Sequence, residues 1–568
     1  MRLENLGPDL IAHNGKVITV DSGFTISDAL AVKDGQFIGV GGGTAMLEQA
    51  DDHTRIIDLG GRTVTPGLID GHAHLDREGL KDVYPSLAGA RSINDVLARI
   101  EALVAEAEPG DWVVTMPLGD PPSYWDVPEI FAENRFPTRQ DLDSVSPDNP
   151  VYIRPIWGFW RHSIPLVSVA NSLALEVAGI TRETPDPCKT VEIERDKAGE
   201  PTGVFIEHSY MPMVEMSLLK ACGGFTHADR VAALDRSITA YLAAGTTSVF
   251  EEHGVAAEVI RVYKERHEAG RMNIRANLVF SPSWDTIGDA PMGPLLESWS
   301  AWLAGTGMGD DYLRIHGLYS QIATEWGPGS WVENELRCQS HPYTGWAGFN
   351  FDATLPHERL VESMVHAARN DIRVVGLTSQ MLEYLEEVER IEPISDRRWV
   401  LGHIGVLSPE ETSRIRDLGL VTSTHTNRNI YRTGAELLAK VGPGRAVDIS
   451  PLARMRDAGI RFALATDNVP VSLFHPVWQV ITRIVRDTGE PIAPEQGISR
   501  QDAIRAATID GAYLTMEEDI KGSIEVGKLA DFAVLSADPL SVAEFEIKDI
   551  DADMTVVGGE VVYERSAP

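Results

Sequence analysis

Thr65-Pro66-Gly67-Leu68-Ile69-Asp70-Gly71-His72-Ala73-His74-Leu75 is the stretch on which the reading of this chain turns. Leu68 and Ile69 read as the apolar end of a buried strand, and two histidines follow one residue apart. Residues i and i+2 of a strand point to the same face. Extended backbone here projects the His72 and His74 imidazoles into one space, a ready pair of metal ligands. The same His-x-His in an exposed loop would carry no such meaning, so the surroundings decide.

Those surroundings are a long α/β chain. From Thr63 to about residue 490, strand-like runs alternate with helix-like ones, the signature of βα units. Strand candidates are Thr247-Ser-Val-Phe-Glu, Ile274-Arg-Ala-Asn-Leu-Val-Phe, Leu313-Arg-Ile-His-Gly-Leu-Tyr, Ile372-Arg-Val-Val-Gly-Leu, Trp399-Val-Leu-Gly-His, Leu420-Val-Thr-Ser-Thr-His and Arg461-Phe-Ala-Leu-Ala-Thr-Asp. With the His-x-His strand they make eight, the number a (β/α)8 TIM barrel requires. Ser92 to Ala107 and His227 to Ala244 carry helical spacing of apolar residues.

Both chain ends are β-rich. Asn14-Gly15 between apolar runs predicts one hairpin over Asp9 to Val20, Asp34-Gly35 a second over Ala29 to Val40, and Gly558-Gly559 a third after Met554. One small β-sandwich formed from residues 1–62 and 491–568, the latter including the last barrel helix, is expected, with the barrel (63–490) inserted between. An insertion over about residues 76–225, rich in Pro, Trp and Gly, predicts a lid or substrate wall on the catalytic rim.

Composition narrows the partners. Hydrophobic residues make up 43% of 568, enough for a large core. The formal charge of −34 repels nucleic acid and anionic membrane and favours solubility. Cys188, Cys222 and Cys338 are far apart, fitting a reducing cytoplasm rather than a disulfide scaffold or a cysteine metal site. Met1-Arg-Leu-Glu-Asn lacks an apolar signal region, and no run of about 18 apolar residues predicts a membrane span. A cytoplasmic protein acting on a small molecule is expected. No Gly-x-Ser-x-Gly, P-loop or dinucleotide fingerprint offers a competing chemistry.

Several motifs together carry a resemblance. Asn14-Gly-Lys-Val-Ile-Thr-Val, the barrel opening at Thr65, Pro137-Thr-Arg-Gln-Asp-Leu-Asp-Ser-Val-Ser-Pro-Asp-Asn-Pro-Val, Gly199-Glu-Pro-Thr-Gly-Val and Lys521-Gly-Ser-Ile-Glu-Val-Gly-Lys-Leu-Ala-Asp-Phe-Ala-Val-Leu resemble the amidohydrolase superfamily. They are most similar to its YtcJ-like branch, which includes N-substituted formamide deformylases. The resemblance implies a metal-dependent barrel enzyme with ligands at the tops of strands one, four, five and six and an aspartate on strand eight. It implies dimers as well. His72 and His74 match strand one, His403 in Leu401-Gly402-His403 matches strand six, and Asp467 in Ala465-Thr466-Asp467-Asn468 matches strand eight.

Two positions depart from that pattern. Tyr319 stands where the family commonly has a carboxylated lysine, and Val374-Val375-Gly376-Leu377-Thr378 has no strand-five histidine. One metal on His72, His74 and Asp467 is the economical reading, with His403 a ligand or a contact to the reacting oxygen. Replacement ligands or substrate contacts are Glu251, Glu252 and His253 ending strand two, His425 ending strand seven, Tyr319 ending strand four, and Glu325 after it. Trp160 and His162 are candidate substrate contacts in the insertion, and His316 reads as a satisfied core residue. Trp125, Trp157, Trp326, Trp331 and Trp346 either line an apolar pocket or pack the insertion.

The expected chemistry is hydrolysis of an amide, formamide or cyclic amide C–N bond in a small, apolar or aromatic substrate. A divalent metal, best Zn2+ with Fe2+ or Mn2+ as alternatives, lowers the pKa of its water from 15.7 to about 7. Asp467 takes and returns the proton. The altered ligand set also motivates a lyase or C–C bond-cleaving enzyme on the same barrel, or a binding protein with a decayed site.

Overall fold

The computed structural model describes residues 7–121, 124–156, 164–208, 212–322, 345–346, 348–350 and 354–566. Eight parallel strands follow one another in chain order around a nearly closed barrel: Leu68–Asp70, Thr246–Val255, Arg275–Phe280, Leu313–Tyr319, Val374–Leu377, Val400–Ile404, Val421–Thr424 and Phe462–Ala463. All eight fall on the strands read from the sequence. Phe250, Val279, Tyr319, Val375, Val400, Val421 and Ala463 form one buried cluster. Seven successive strands thus give one residue each to a layer that fills the interior.

Hydrogen bonds rather than strand pairing join the last strand to the first. Gly71 N–H donates to Leu464 O at 2.9 Å and Asp467 N–H to His72 O at 3.0 Å. The approach needs Gly71, because a Cβ there would lie 2.6 Å from the Ala463 Cβ. This seam sets the two ends of the predicted ligand set, His72 and Asp467, side by side.

Strands from both chain ends share a six-stranded sheet in the order Glu560–Glu564, Ala552–Val557, Phe532–Leu535, Thr63–Pro66, Lys16–Ile18, Ile26–Ser27. A four-stranded sheet orders Gln36–Gly41, Ala29–Lys33, Leu10–His13, Arg55–Asp58. One core, including Leu30, Phe37, Val64, Phe532 and Val556, draws on both, which makes the sandwich. Thr63–Pro66 leaves it and runs through Gly67 directly into the first barrel strand.

Two of the three predicted hairpins form. Asp34-Gly35 and Gly558-Gly559 each have both residues at positive φ (49° and 76°, 56° and 80°), as a two-residue primed turn requires. Asn14-Gly15 does not close a hairpin. Asn14 is left-handed (φ 59°), but Leu10–His13 pairs with Ala29–Lys33 and Lys16–Ile18 pairs with Thr63–Pro66. The turn passes the chain from one sheet to the other, because each flanking strand finds a longer partner elsewhere.

The stretch between barrel strands one and two is a folded layer rather than a bare lid. It carries a five-stranded sheet ordered Val191–Arg195, Pro201–Glu207, Leu166–Ala170, Val151–Ile153, Val113–Thr115. The predicted helices occur as Ile93–Glu106, capped by the Ser92 side chain accepting from Asp95 N–H, and His227–Ala243, opened by a Thr226/Asp229 capping box. Among the described residues no helix is long and apolar enough to cross a membrane.

Candidate metal centre

Four side chains meet at the carboxyl end of the barrel. His72 Nε2 lies 3.1 Å from His74 Nε2, 3.3 Å from His403 Nε2 and 3.6 Å from Asp467 Oδ1. His74 Nε2 is 2.7 Å from the same oxygen. Tetrahedral ligands at 2.0–2.2 Å from a cation stand about 3.3 Å apart. His72, His403 and Asp467 bring one donor atom each within 4.8 Å of one another, and His74 Nε2 lies beside the His72 and Asp467 donors; imidazole and carboxylate donors so spaced suit zinc or another first-row metal.

The backbone is bent to bring them there. His403, Asp467 and Asn468 have φ of 54°, 51° and 60°, and Thr378 at the end of strand five has 73°. Left-handed non-glycine residues cost energy and persist where surroundings over-determine them, as at functional sites. Asn468 supplies part of that constraint: its side chain accepts from His74 N–H at 3.0 Å and donates to His74 O at 2.7 Å.

A second ring of groups orients the first. Glu252 on strand two accepts from His72 Nδ1, leaving Nε2 turned inward, and also accepts from Ser423 Oγ at 2.7 Å. Gly402 makes room for that carboxylate, since a Cβ there would sit 2.3 Å from Glu252 Oε2. His425 Nε2 lies 2.8 Å from Asp467 Oδ2. Glu251 accepts from Leu75 N–H at 2.7 Å and Tyr263 Oη at 2.6 Å, fixing the turn after His74. Arg77 donates to His74 Nδ1.

Burial depresses a histidine, but at His72 the Glu252 carboxylate outweighs it and the pKa is pushed up to about 10. A cation held at His72 Nε2 would have to displace the proton there. Burial holds His74, His253 and His403 well below the ordinary value, as neutral imidazoles. Burial alone would raise Asp467; the surrounding imidazoles, His425 foremost, keep it an anion instead. Burial lifts Glu251 to about 8, with the Asp76 charge adding to the push.

The signature of the Amidohydrolase family matches residues 55–563. The chain belongs to the amidohydrolase family. N-substituted formamide deformylase of Arthrobacter pascens is 27% identical over 98% of this chain and 99% of its own length. The putative amidohydrolase YtcJ of Bacillus subtilis is 24% identical over 98% and 99%. In fold, the chain is similar to an uncharacterized metal-dependent hydrolase from Pyrococcus furiosus (TM-score 0.65, 20% identity, 94% of this chain and 100% of that one). The resemblance read from the motifs is thereby borne out. As an amidohydrolase, the protein is a hydrolase acting on carbon–nitrogen bonds other than peptide bonds.

Of the candidates read from this amidohydrolase's sequence, His72, His74, His403 and Asp467 converge, with Glu251, Glu252, His253 and His425 packed around them. His253 stacks on Phe349 with ring centres 4.2 Å apart and stands 5.9 Å from His72. Tyr319 ends strand four beside His253, ring centres 5.3 Å apart, and its hydroxyl has no hydrogen-bond partner among the described residues. His316 is buried, as expected, but is not satisfied: neither ring nitrogen has a hydrogen-bond partner among the described residues. Trp346 packs on Phe225 and over the Arg154 guanidinium, so it seats the insertion. Trp125 lines a separate cavity of about 530 Å³ with Tyr431 and Pro470. Glu325, Trp157, Trp160, His162, Trp326 and Trp331 lie outside the described residues.

Sequence reasoning missed Arg77, Asp76, Asn468 and Ser423. The signal available for the first two was an adjacent acid and base just after the His-x-His, opening the charge-rich run Asp76-Arg-Glu-Gly-Leu-Lys-Asp82. Asn468 and Ser423 gave none, because their roles depend on which strands close the barrel.

Proposed function

We propose that this amidohydrolase holds one Zn2+ on His72, His74, His403 and Asp467. With it, the enzyme hydrolyses the C–N bond of a small N-substituted formamide or cyclic amide with an apolar or aromatic substituent. The observation that carries the metal reading is that His72 Nε2 lies 3.1–3.6 Å from donor atoms of His74, His403 and Asp467, with His74 Nε2 2.7 Å from Asp467, at the catalytic rim. The formamide class is supported by the full-length similarity to a deformylase.

A divalent ion supplies Lewis acidity, drawing the pKa of water toward neutrality and electron density from a scissile carbonyl. The protein's residues do the rest. Asp467 is an anion whose Oδ2 faces His425, so its carboxylate takes a proton from water and delivers it to the departing nitrogen. Glu252 fixes the His72 ring through Nδ1, and Asn468 fixes the His74 backbone. His403 lies at the rim, half-buried, where its ring nitrogen can also face the carbonyl oxygen.

The test is metal content together with product identity on a panel of N-substituted formamides and lactams. One equivalent of metal and release of amine, abolished by His72→Ala, is the expected result. Metal-dependent release of CO2 or an aldehyde would instead establish lyase chemistry. No stoichiometric metal, with His72→Ala unchanged, would leave a binding protein.

A further inference from the structure

Beside the four converging groups lies a second set of possible cation ligands. His74, Asp76 and Glu251 bring one donor atom each within 4.8 Å of one another. His74 faces the first site with Nε2 and this second one with Nδ1, 3.7 Å from Glu251 Oε2. Asp76 is 4% exposed, and no other described residue donates a hydrogen bond to either of its carboxylate oxygens. A buried carboxylate without hydrogen bonds is held as an anion only by a nearby cation. Arg77 supplies it: the guanidinium donates to His74 Nδ1, and its Nε stands 3.6 Å from Asp76 Oδ1.

We propose that the Arg77 guanidinium is a built-in cation filling a second metal position formed by His74 Nδ1, Asp76 and Glu251, and that it limits the centre to one divalent ion. The proposal rests on the metal reading of His72, His74, His403 and Asp467. One imidazole nitrogen and two carboxylates are a donor set divalent zinc accepts. With Arg77 gone, Asp76 loses its nearest counter-charge, with Arg230 the next cation acting on it, and the His74 ring can bridge two ions through its two nitrogens.

The experiment is metal stoichiometry of the full-length chain after equilibrium dialysis against Zn2+, with Mn2+ electron paramagnetic resonance as a second readout. The parent and Arg77→Lys bind one equivalent; Arg77→Ala binds two, and its Mn2+ form shows an exchange-coupled pair absent from the parent. Adding Asp76→Asn to Arg77→Ala returns the count to one. If Arg77→Ala is unfolded by circular dichroism, Arg77→Gln, which keeps most of the volume without the charge, is measured with the same expectation of two. A folded uncharged variant that binds one ion, or a double variant that keeps two, overturns the proposal and leaves the first site standing. A parent that binds none overturns the reading beneath it.

Discussion

Glu252 offers the sharpest test of how the centre is held. Its Oε2 accepts from both His72 Nδ1 and Ser423 Oγ, so one oxygen sets the ring orientation and the free nitrogen of a ligand. Glu252→Gln keeps an acceptor in place but removes the charge; Glu252→Ala removes both. Loss of such an orienting partner costs 10–100-fold in metal affinity. The expected order is about 10-fold weaker Zn2+ binding for Glu252→Gln and about 100-fold for Glu252→Ala, roughly 1.4 and 2.7 kcal/mol. The same carboxylate also attracts the proton that competes for His72, pushed up to about 10. A divalent ion carries twice the proton's charge, so affinity still falls when the carboxylate goes. Gly402→Ala approaches the result sterically, since its Cβ would lie 2.3 Å from Oε2, and should weaken binding with every ligand intact. Competition against a chelator of known affinity, with folding checked by circular dichroism, measures all three. Folded Glu252→Ala that binds Zn2+ as tightly as the parent would refute the reasoning, because His72 would then be oriented by something else.

Asp467→Asn removes both a ligand charge and the proton acceptor. At saturating metal, kcat should fall by about 10²–10⁴-fold; a drop confined to KM would show that the carboxylate binds without moving a proton. At the opposite end of the barrel, Glu517 pairs with Lys521 at 2.6 Å and accepts from the Asn277 amide at 2.9 Å. Burial pushes Glu517 up, but the Lys521 ammonium holds it down to about 2, against an ordinary 4.5. A depressed folded value stabilises above the unfolded one, and that stabilisation is lost as pH falls toward 2. Urea midpoints should therefore drop between pH 5 and 2 in the parent, and Glu517→Gln should be less stable at pH 7 with a flatter acid limb; identical limbs would remove the pair from the stability of the fold.

What the sequence determined on its own was local. The i, i+2 spacing of His72 and His74 predicted two rings on one side; the rings do meet, though the strand ends at Asp70 and both stand in the segment just past it. Asp34-Gly35 and Gly558-Gly559 closed their hairpins because two positive φ values and adjacent apolar runs suffice. Eight apolar runs separated by helical stretches announced the barrel before any contact was known. Tertiary structure decided whatever depends on partners distant in the chain. Asn14-Gly15 has the chemistry of a hairpin turn, but its flanking strands pair in different sheets. Which nitrogen of His72 turns toward His74 and His403 is set by Glu252, 180 residues away. Arg77 stands among His74, Asp76 and Glu251 only because strand two folds beside strand one. Direction along a strand is written in neighbouring residues, whereas charge compensation in a buried site belongs to whichever groups the fold brings within a few ångströms.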